Sequence, residues 1–297
     1  MRGGLPAPRL PALPATVPPR SVLPQYLLPK QALTRFAGLV ANLQGGAFTT
    51  WLIRDFIRRY DVQMQEAVQP DPAAYATFNE FFTRALKPAA RPLAPDAFVS
   101  PVDGAVSQCG RIARDRIFQA KGHHYTAGTL VGGNLALAER FTDGEFATLY
   151  LSPKDYHRIH MPCDGTLTHM VHVPGDLFSV NPTTARGVPG LFARNERVVC
   201  VFDGPRGPWV LVLVGATIVG SMETVWHGVV NARRTGRPST WDYAQGAVHL
   251  RKGEEMGRFR LGSTVVMLFP KGTMAFADGW VAEAPVRMGQ PMGRAPG

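Results

Sequence analysis

The bond between Gly262 and Ser263 lies in Arg260-Leu261-Gly262-Ser263-Thr264 and is followed at once by the apolar run Val265 to Phe269. Gly262 has no Cβ, so its carbonyl can be approached closely and its backbone can take a strained geometry. A serine just after such a carbonyl can turn its hydroxyl back on it and convert the amide to an ester. Elimination from that ester leaves a dehydroalanine, whose hydrolysis leaves a pyruvoyl group on a new N-terminus. A pyruvoyl carbonyl is an electrophile able to form a Schiff base with an amine. The same Gly-Ser pair also suits a plain turn before a buried strand, so the chemistry depends on what the rest of the chain supplies.

Two upstream stretches supply partners. Ser100-Pro101-Val102-Asp103-Gly104 presents Asp103 at the start of a predicted strand, and Tyr156-His157-Arg158-Ile159-His160-Met161-Pro162 offers two imidazoles. A serine hydroxyl is a poor nucleophile until a base takes its proton, and the base works best when a carboxylate fixes its tautomer. Asp103, His160 and Ser263 would form such a relay. Each also has an ordinary reading: Asp103 before Gly104 is a natural turn residue, and a histidine beside Pro162 is commonly hydrogen-bonded structure. Other chemistries fit less well. His157 and His160, with His123-His124, resemble metal ligands but lack a third carboxylate or thiolate at diagnostic spacing, so no metal is expected. A serine hydrolase would want a Gly-x-Ser-x-Gly elbow, and Val131-Gly132-Gly133-Asn134 opens no dinucleotide-binding βαβ unit.

The elements that must position these residues change along the chain. Residues 1–29 carry eight prolines and no unbroken apolar stretch, which predicts a flexible arm rather than a signal peptide. Over 30–95 the chain reads as helical. Leu33, Phe36, Ala37, Val40 and Leu43 recur at helical spacing, then Trp51, Leu52, Phe56 and Ile57 do so after Gly45-Gly46. Thr77 is placed to cap a further helix that buries Phe78, Phe81 and Phe82. Lys30, Arg35, Arg54, Arg58 and Arg59 face a single acid, Asp55, before residue 61. Apolar stripes with basic opposite faces suit helices lying in a membrane interface, and equally helices packed on the body. Residues 96–286 carry short apolar runs broken by Gly and Pro, the pattern of strands. The Gly/Pro/Met-rich residues 287–297 read as a frayed tail. The expected fold class is α+β, a β-rich core with amphipathic N-terminal helices.

Composition narrows the partners. The net charge of +10 over 297 residues points to an anionic surface, nucleic acid or membrane, and no nucleic-acid-binding motif is present. The apolar run from Trp209 to Met222 is too short to span a bilayer. Cys109, Cys163 and Cys200 show no paired spacing, which favours a reduced, cytosol-facing setting.

Taken in order, the motifs resemble the bacterial membrane-associated phosphatidylserine decarboxylases. They are Phe78-Asn79-Glu80-Phe81-Phe82-Thr83-Arg84, Ser100 to Gly104, Asp155 to Pro162, Leu177-Phe178-Ser179-Val180-Asn181-Pro182, Asn195 to Val199, Val214 to Ser221, Lys252 to Gly257 and Leu261 to Thr264, and the resemblance runs from about residue 24 to 285. It implies a proenzyme that cuts itself between Gly262 and Ser263 by the Asp103, His160, Ser263 relay. The products would be a large β chain (1–262) and a small α chain (263–297) headed by the pyruvoyl cofactor, a heterodimer open to further oligomerisation. It also implies decarboxylation of phosphatidylserine to phosphatidylethanolamine on the cytoplasmic side of an anionic cell membrane, held peripherally. His157 becomes the candidate acid for Cα, Phe178, Ser179 and Asn181 the lining of the head-group or acyl entrance, and Lys121 a head-group contact.

Overall fold

In the computed structural model the described residues are 22–217, 221–230, 236–244, 246–260 and 263–296. Gly262 and most of the expected arm lie outside them. Ser263–Phe269 is a strand buried along its whole length. An apolar run of this kind suits a position covered on both faces, and the strand sits inside a nine-stranded antiparallel sheet. On one side it pairs with Glu145–Leu151, Ser263 opposite Leu151 and Thr264 opposite Tyr150. On the other it pairs with Gly207–Val214, Thr264 opposite Val214. Beyond Glu145–Leu151 come Gly104–Arg111 and then Pro285–Val286. Beyond Gly207–Val214 come Arg197–Gly204, Gly165–Val173 and Ser239–Asp242.

A four-stranded sheet lies beside this one, ordered Gly228–Val229, Met222–Thr224, Glu255–Phe259, Arg158–His160. It holds the histidine strand at its edge. The Phe259 amide donates to the His157 carbonyl at 3.1 Å. Ser263 follows Phe259 by four residues, a separation that extended chain spans in at most about 14 Å.

The N-terminal layer consists of α1 (Pro24–Leu27), α2 (Lys30–Ala41), α3 (Ala47–Tyr60) and α4 (Phe78–Phe82). Thr77 caps α4 as expected: its Oγ1 accepts from the Glu80 amide at 3.1 Å, while Glu80 accepts from the Ala76 amide at 2.9 Å. Beneath the helices Ala41, Ile53, Val62, Phe78, Phe81 and Phe82 form a small core of their own. Phe36, Leu39 and Trp51 point outward, 67%, 74% and 59% exposed, in the company of Leu27, Leu43 and Phe48.

Two local expectations are corrected, and one left open is decided. Residues 22–29 are not free arm: Val22 is fully buried in the main core, and Tyr26 packs edge-on against Phe178. The tail is ordered through Arg294, because Pro291–Arg294 pairs with Phe98–Val99 and Ala275–Phe276 and buries Met292. The apolar stripe of α3, open by sequence to membrane or body, divides: Phe56 turns inward against Phe78, Phe81 and Phe82, while Trp51 stays outward. In each case a long-range apolar contact outweighs what local composition suggests.

Candidate active site

Ser263 is fully buried, and its Oγ has no hydrogen-bond partner. His157 is likewise fully buried. Its Nδ1 faces the Asp155 carbonyl at 2.8 Å and Nε2 has no partner. A ring nitrogen facing a carbonyl must carry the proton, which leaves Nε2 as a bare lone pair. Burial drives the His157 pKa down to about 3, the Asp155 carbonyl only partly offsetting it. The Phe82 ring covers the imidazole with centroids 4.1 Å apart. Orphaned buried polar atoms are costly, and the Ser263 hydroxyl and the His157 imidazole nitrogen are two among several here, Thr148, Trp209 and Thr264 included.

Asp103 and His160 meet in one corner, because the His160 amide donates to the Pro101 carbonyl at 2.9 Å. Their side chains are engaged elsewhere. Arg91 Nε donates to both Asp103 oxygens at 2.9 and 3.1 Å, its Nη2 makes a further short contact, and the Met288 amide adds a bond to Oδ1 at 2.8 Å. His160 Nδ1 faces the Gly253 carbonyl at 2.8 Å, and Nε2 meets the Tyr156 hydroxyl at 3.1 Å. Burial lowers the His160 pKa against the raising influence of the Gly253 carbonyl, Glu255 and Asp103. Among the described residues no hydrogen bond joins Asp103, His160 and Ser263 to one another.

Three cavities share Tyr150, the residue paired with Thr264, and two of them bear on the site. The smaller, about 220 Å3, runs from Phe56 and Tyr60 of α3 past Phe82 and Leu151 to Ser179 and Asn181. The larger, about 570 Å3, includes Arg84, Arg91, Asp103, Asp155 and Tyr156 in its wall. Ser179 and Asn181 line a cavity beside the serine strand. Phe178 does not. It is buried under Tyr26, with Lys30 Nζ 3.7 Å from its ring centroid, and seats the N-terminal segment. Asn181 also caps the following helix through the Thr184 amide at 2.9 Å. Lys121 sits exposed at a tight turn with φ 45°.

Sequence reasoning passed over Arg84, Arg91, Tyr150 and Tyr156. Arg84 and Tyr156 stand inside quoted motifs, so a signal existed for them; nothing local marks Arg91, whose role depends on a carboxylate twelve residues away. Other motif residues prove architectural. Asn195 holds the Phe178 and Gly215 carbonyls at 2.8 Å each, and Glu196 meets His172 at 2.9 Å. Lys252 Nζ binds the Ala94 and Asp96 carbonyls. Among the described residues no group of three or more His, Cys, Asp or Glu is gathered for a metal, and no helix is long and apolar enough to cross a membrane.

Comparison with known proteins bears on this site. A family model described as phosphatidylserine decarboxylase matches residues 78–294, and a second, described as PSD, matches residues 21–61. The chain is 68% identical over 275 residues to the phosphatidylserine decarboxylase proenzyme of Polaromonas sp. (strain JS666), covering 92% of this chain and 97% of that protein. It is 67% identical over 272 residues to the phosphatidylserine decarboxylase proenzyme of Acidovorax ebreus (strain TPSY), covering 92% and 96%. A relative of the same name from Herminiimonas arsenicoxydans is 67% identical over 271 residues, covering 91% and 92%. These matches define a class first, carboxy-lyases made as proenzymes. Within that class, the chain belongs to the phosphatidylserine decarboxylase family.

Proposed function

We propose that this chain decarboxylates phosphatidylserine to phosphatidylethanolamine and carbon dioxide, using a pyruvoyl group that it makes from Ser263 by cutting itself after Gly262. The observation that carries this reading is the fully buried, unpartnered Ser263 hydroxyl at the head of a central strand, with the unprotonated His157 on a segment bonded to the Phe259 amide, four residues before that serine. A pyruvoyl group at this position would supply an electrophilic carbonyl for the substrate amine and a sink for the electron pair left when carbon dioxide departs.

The chain's own residues have the following parts in this reading. For maturation His160 takes the Ser263 proton and Asp103 stabilises the resulting charge, which requires His160 to exchange its Tyr156 and Gly253 partners. The hydroxyl then attacks the Gly262 carbonyl, and the peptide nitrogen leaves it. His157 serves turnover: its bare Nε2 takes the proton that the substrate ammonium must lose before condensing, and returns that proton to Cα after carbon dioxide departs. Ser179 and Asn181 border the path between the cavities, and Phe82 keeps water from the imidazole.

The sheet supports retention of both products of the cut as a heterodimer of residues 1–262 and 263–297. Ser263–Phe269 is hydrogen-bonded between two strands of the larger piece, and Pro285–Val286 and Pro291–Arg294 each pair with it again. The outward Phe36, Leu39 and Trp51, with Arg54, Arg58 and Arg59 nearby, support peripheral attachment to an anionic membrane on its cytoplasmic side.

Intact-mass measurement of the purified protein tests the reading. Two chains are expected, the smaller blocked at its N-terminus and lighter than a peptide starting in serine. A single full-length chain with decarboxylase activity would overturn it.

A further inference from the structure

The buried and half-buried arginines of this protein differ in one respect. Arg91 is closed by Asp103 and Glu66. Arg158 has Glu255 at 2.8 Å and the Thr83 carbonyl at 2.8 Å. Arg197 lacks a carboxylate but donates to the carbonyls of Leu130, Asn195 and Thr129 at 2.7, 2.9 and 2.6 Å. Arg84 is as deeply placed as Arg197, 4% exposed, yet among the described residues its single hydrogen bond is a long one, from Nη2 to the Lys154 carbonyl at 3.3 Å. Its Nε is buried without a partner, and among the described residues no carboxylate pairs with it. The guanidinium lies 5.5 Å from the Phe81 ring centroid and forms part of the wall of the larger cavity.

An arginine carries five N–H donors and stays charged. Holding it out of water without a counter-charge costs several kcal/mol. The carboxylates in the same cavity wall relieve it only in part, Asp103 acting on it from a distance without a hydrogen bond. Asp103 and Glu66 are taken by Arg91, Asp155 accepts the Ser152 amide at 2.6 Å, and Asp61 is exposed at the end of α3. A cation in this state, lining a cavity, is a site for an anion that arrives from outside.

The geometry points to Arg84 as the residue that binds the phosphodiester of the phospholipid head group. This inference rests on the phosphatidylserine reading above. The substrate offers two anions, the phosphodiester and the carboxylate that is lost. An arginine on the carboxylate would stabilise the ground state and oppose loss of carbon dioxide, because only interactions stronger in the transition state speed the reaction. The phosphodiester keeps its charge throughout, and a bidentate guanidinium matches its two free oxygens. Held there, it would anchor the head group in the larger cavity while the acyl chains leave past Phe56 and Tyr60.

The test uses the uncleaved Ser263→Ala chain and calorimetric titration with dihexanoyl phosphatidylserine, dihexanoyl phosphatidylethanolamine, O-hexanoylserine and inorganic phosphate. Arg84→Met should weaken both phospholipids at least tenfold and leave O-hexanoylserine unchanged, with Arg84→Lys in between. Unchanged phospholipid binding in Arg84→Met overturns the assignment, as does absence of saturable phosphatidylserine binding in the parent. So does a loss confined to the two carboxylate-bearing ligands, or inorganic phosphate binding as tightly as the lipid with the same dependence on Arg84. If Arg84→Met does not fold, Arg84→Lys decides, a drop of at least threefold for both phospholipids being required. Self-cleavage and turnover of the unsubstituted enzyme are measured alongside. Their presence without any effect of Arg84 removes this inference alone, whereas their absence removes the functional reading.

Discussion

The Tyr156 hydroxyl occupies His160 Nε2 at 3.1 Å, the nitrogen that a base for Ser263 would use, while Gly253 holds Nδ1 at 2.8 Å. The uncleaved chain thus has its proposed base capped by a neutral donor. Such a hydrogen bond is worth about 1 kcal/mol net. Tyr156→Phe is expected to cleave itself no more slowly than the parent and up to about fivefold faster, a factor that corresponds to that energy. His160→Ala and Asp103→Ala should each block or greatly slow cleavage, whereas His157→Ala should still cleave at least in part but turn over poorly. Time courses on denaturing gels, with decarboxylation assayed separately, check all four. Normal processing in both histidine variants would remove the relay.

Ser263→Ala should remain a single full-length chain without decarboxylase activity, since the attacking hydroxyl and the pyruvoyl precursor disappear together. A serine hydrolase would instead be uncut as wild type and would label at Ser263 with a phosphonate probe.

His157 makes stability depend on pH in a definite direction. Its folded pKa is about 3 because it is wholly buried, against about 6.5 for an unfolded histidine. Above pH 6.5 neither state is protonated there and no cost arises. Below it the unfolded chain takes up a proton that the folded chain refuses, so stability falls as pH falls towards 3, by up to about 1.4 kcal/mol per pH unit. His160 shifts in the same sense, so the contribution is read by difference. In the Ser263→Ala background, denaturant melts from pH 7 to 4.5 should show a shallower decline for His157→Gln than for the parent. Parallel declines would mean that His157 protonates freely in the folded protein.

Membrane attachment should be electrostatic as well as apolar. Arg58 and Arg59 share Asp55 at 2.9 and 3.1 Å but remain exposed, and Arg54 is exposed beside them. Each basic residue near an anionic surface contributes about 1 kcal/mol, screened by salt. Changing Arg54, Arg58 and Arg59 together to Ser should lower binding to phosphatidylserine vesicles and activity on them, while turnover of a short-chain soluble substrate survives. Equal loss on both substrates would mean that these arginines support the fold.

Gly104 follows Asp103 in a place with no room for a side chain: a Cβ would stand 2.2 Å from the Tyr150 carbonyl oxygen. Gly104→Ala should destabilise the uncleaved chain by at least about 2 kcal/mol, in the range of backbone-strain substitutions, and slow self-cleavage by displacing Asp103. Thermal melts of the parent and variant check this, and coincident melts would show that the turn can yield.

Much of this architecture was legible before any coordinates. The buried strand after Gly262 announced itself as an unbroken apolar run, because a strand covered on both faces has no polar alternate positions. The helices over 30–60 and the Thr77 cap followed from periodicity and local hydrogen-bonding capacity, which act within a few residues. The ordered motifs pointed to Ser263, His157, His160 and Asp103. What tertiary structure alone decided was which groups each of these touches. Arg91 closes on Asp103, Tyr156 caps His160, and Arg84 is left buried without a counter-charge, because such contacts depend on how separate elements pack. The same cause turned Phe56 inward, seated residues 22–29 on Phe178 and ordered the tail through Arg294. Composition describes what a segment would do alone; long-range burial settled what these segments do together.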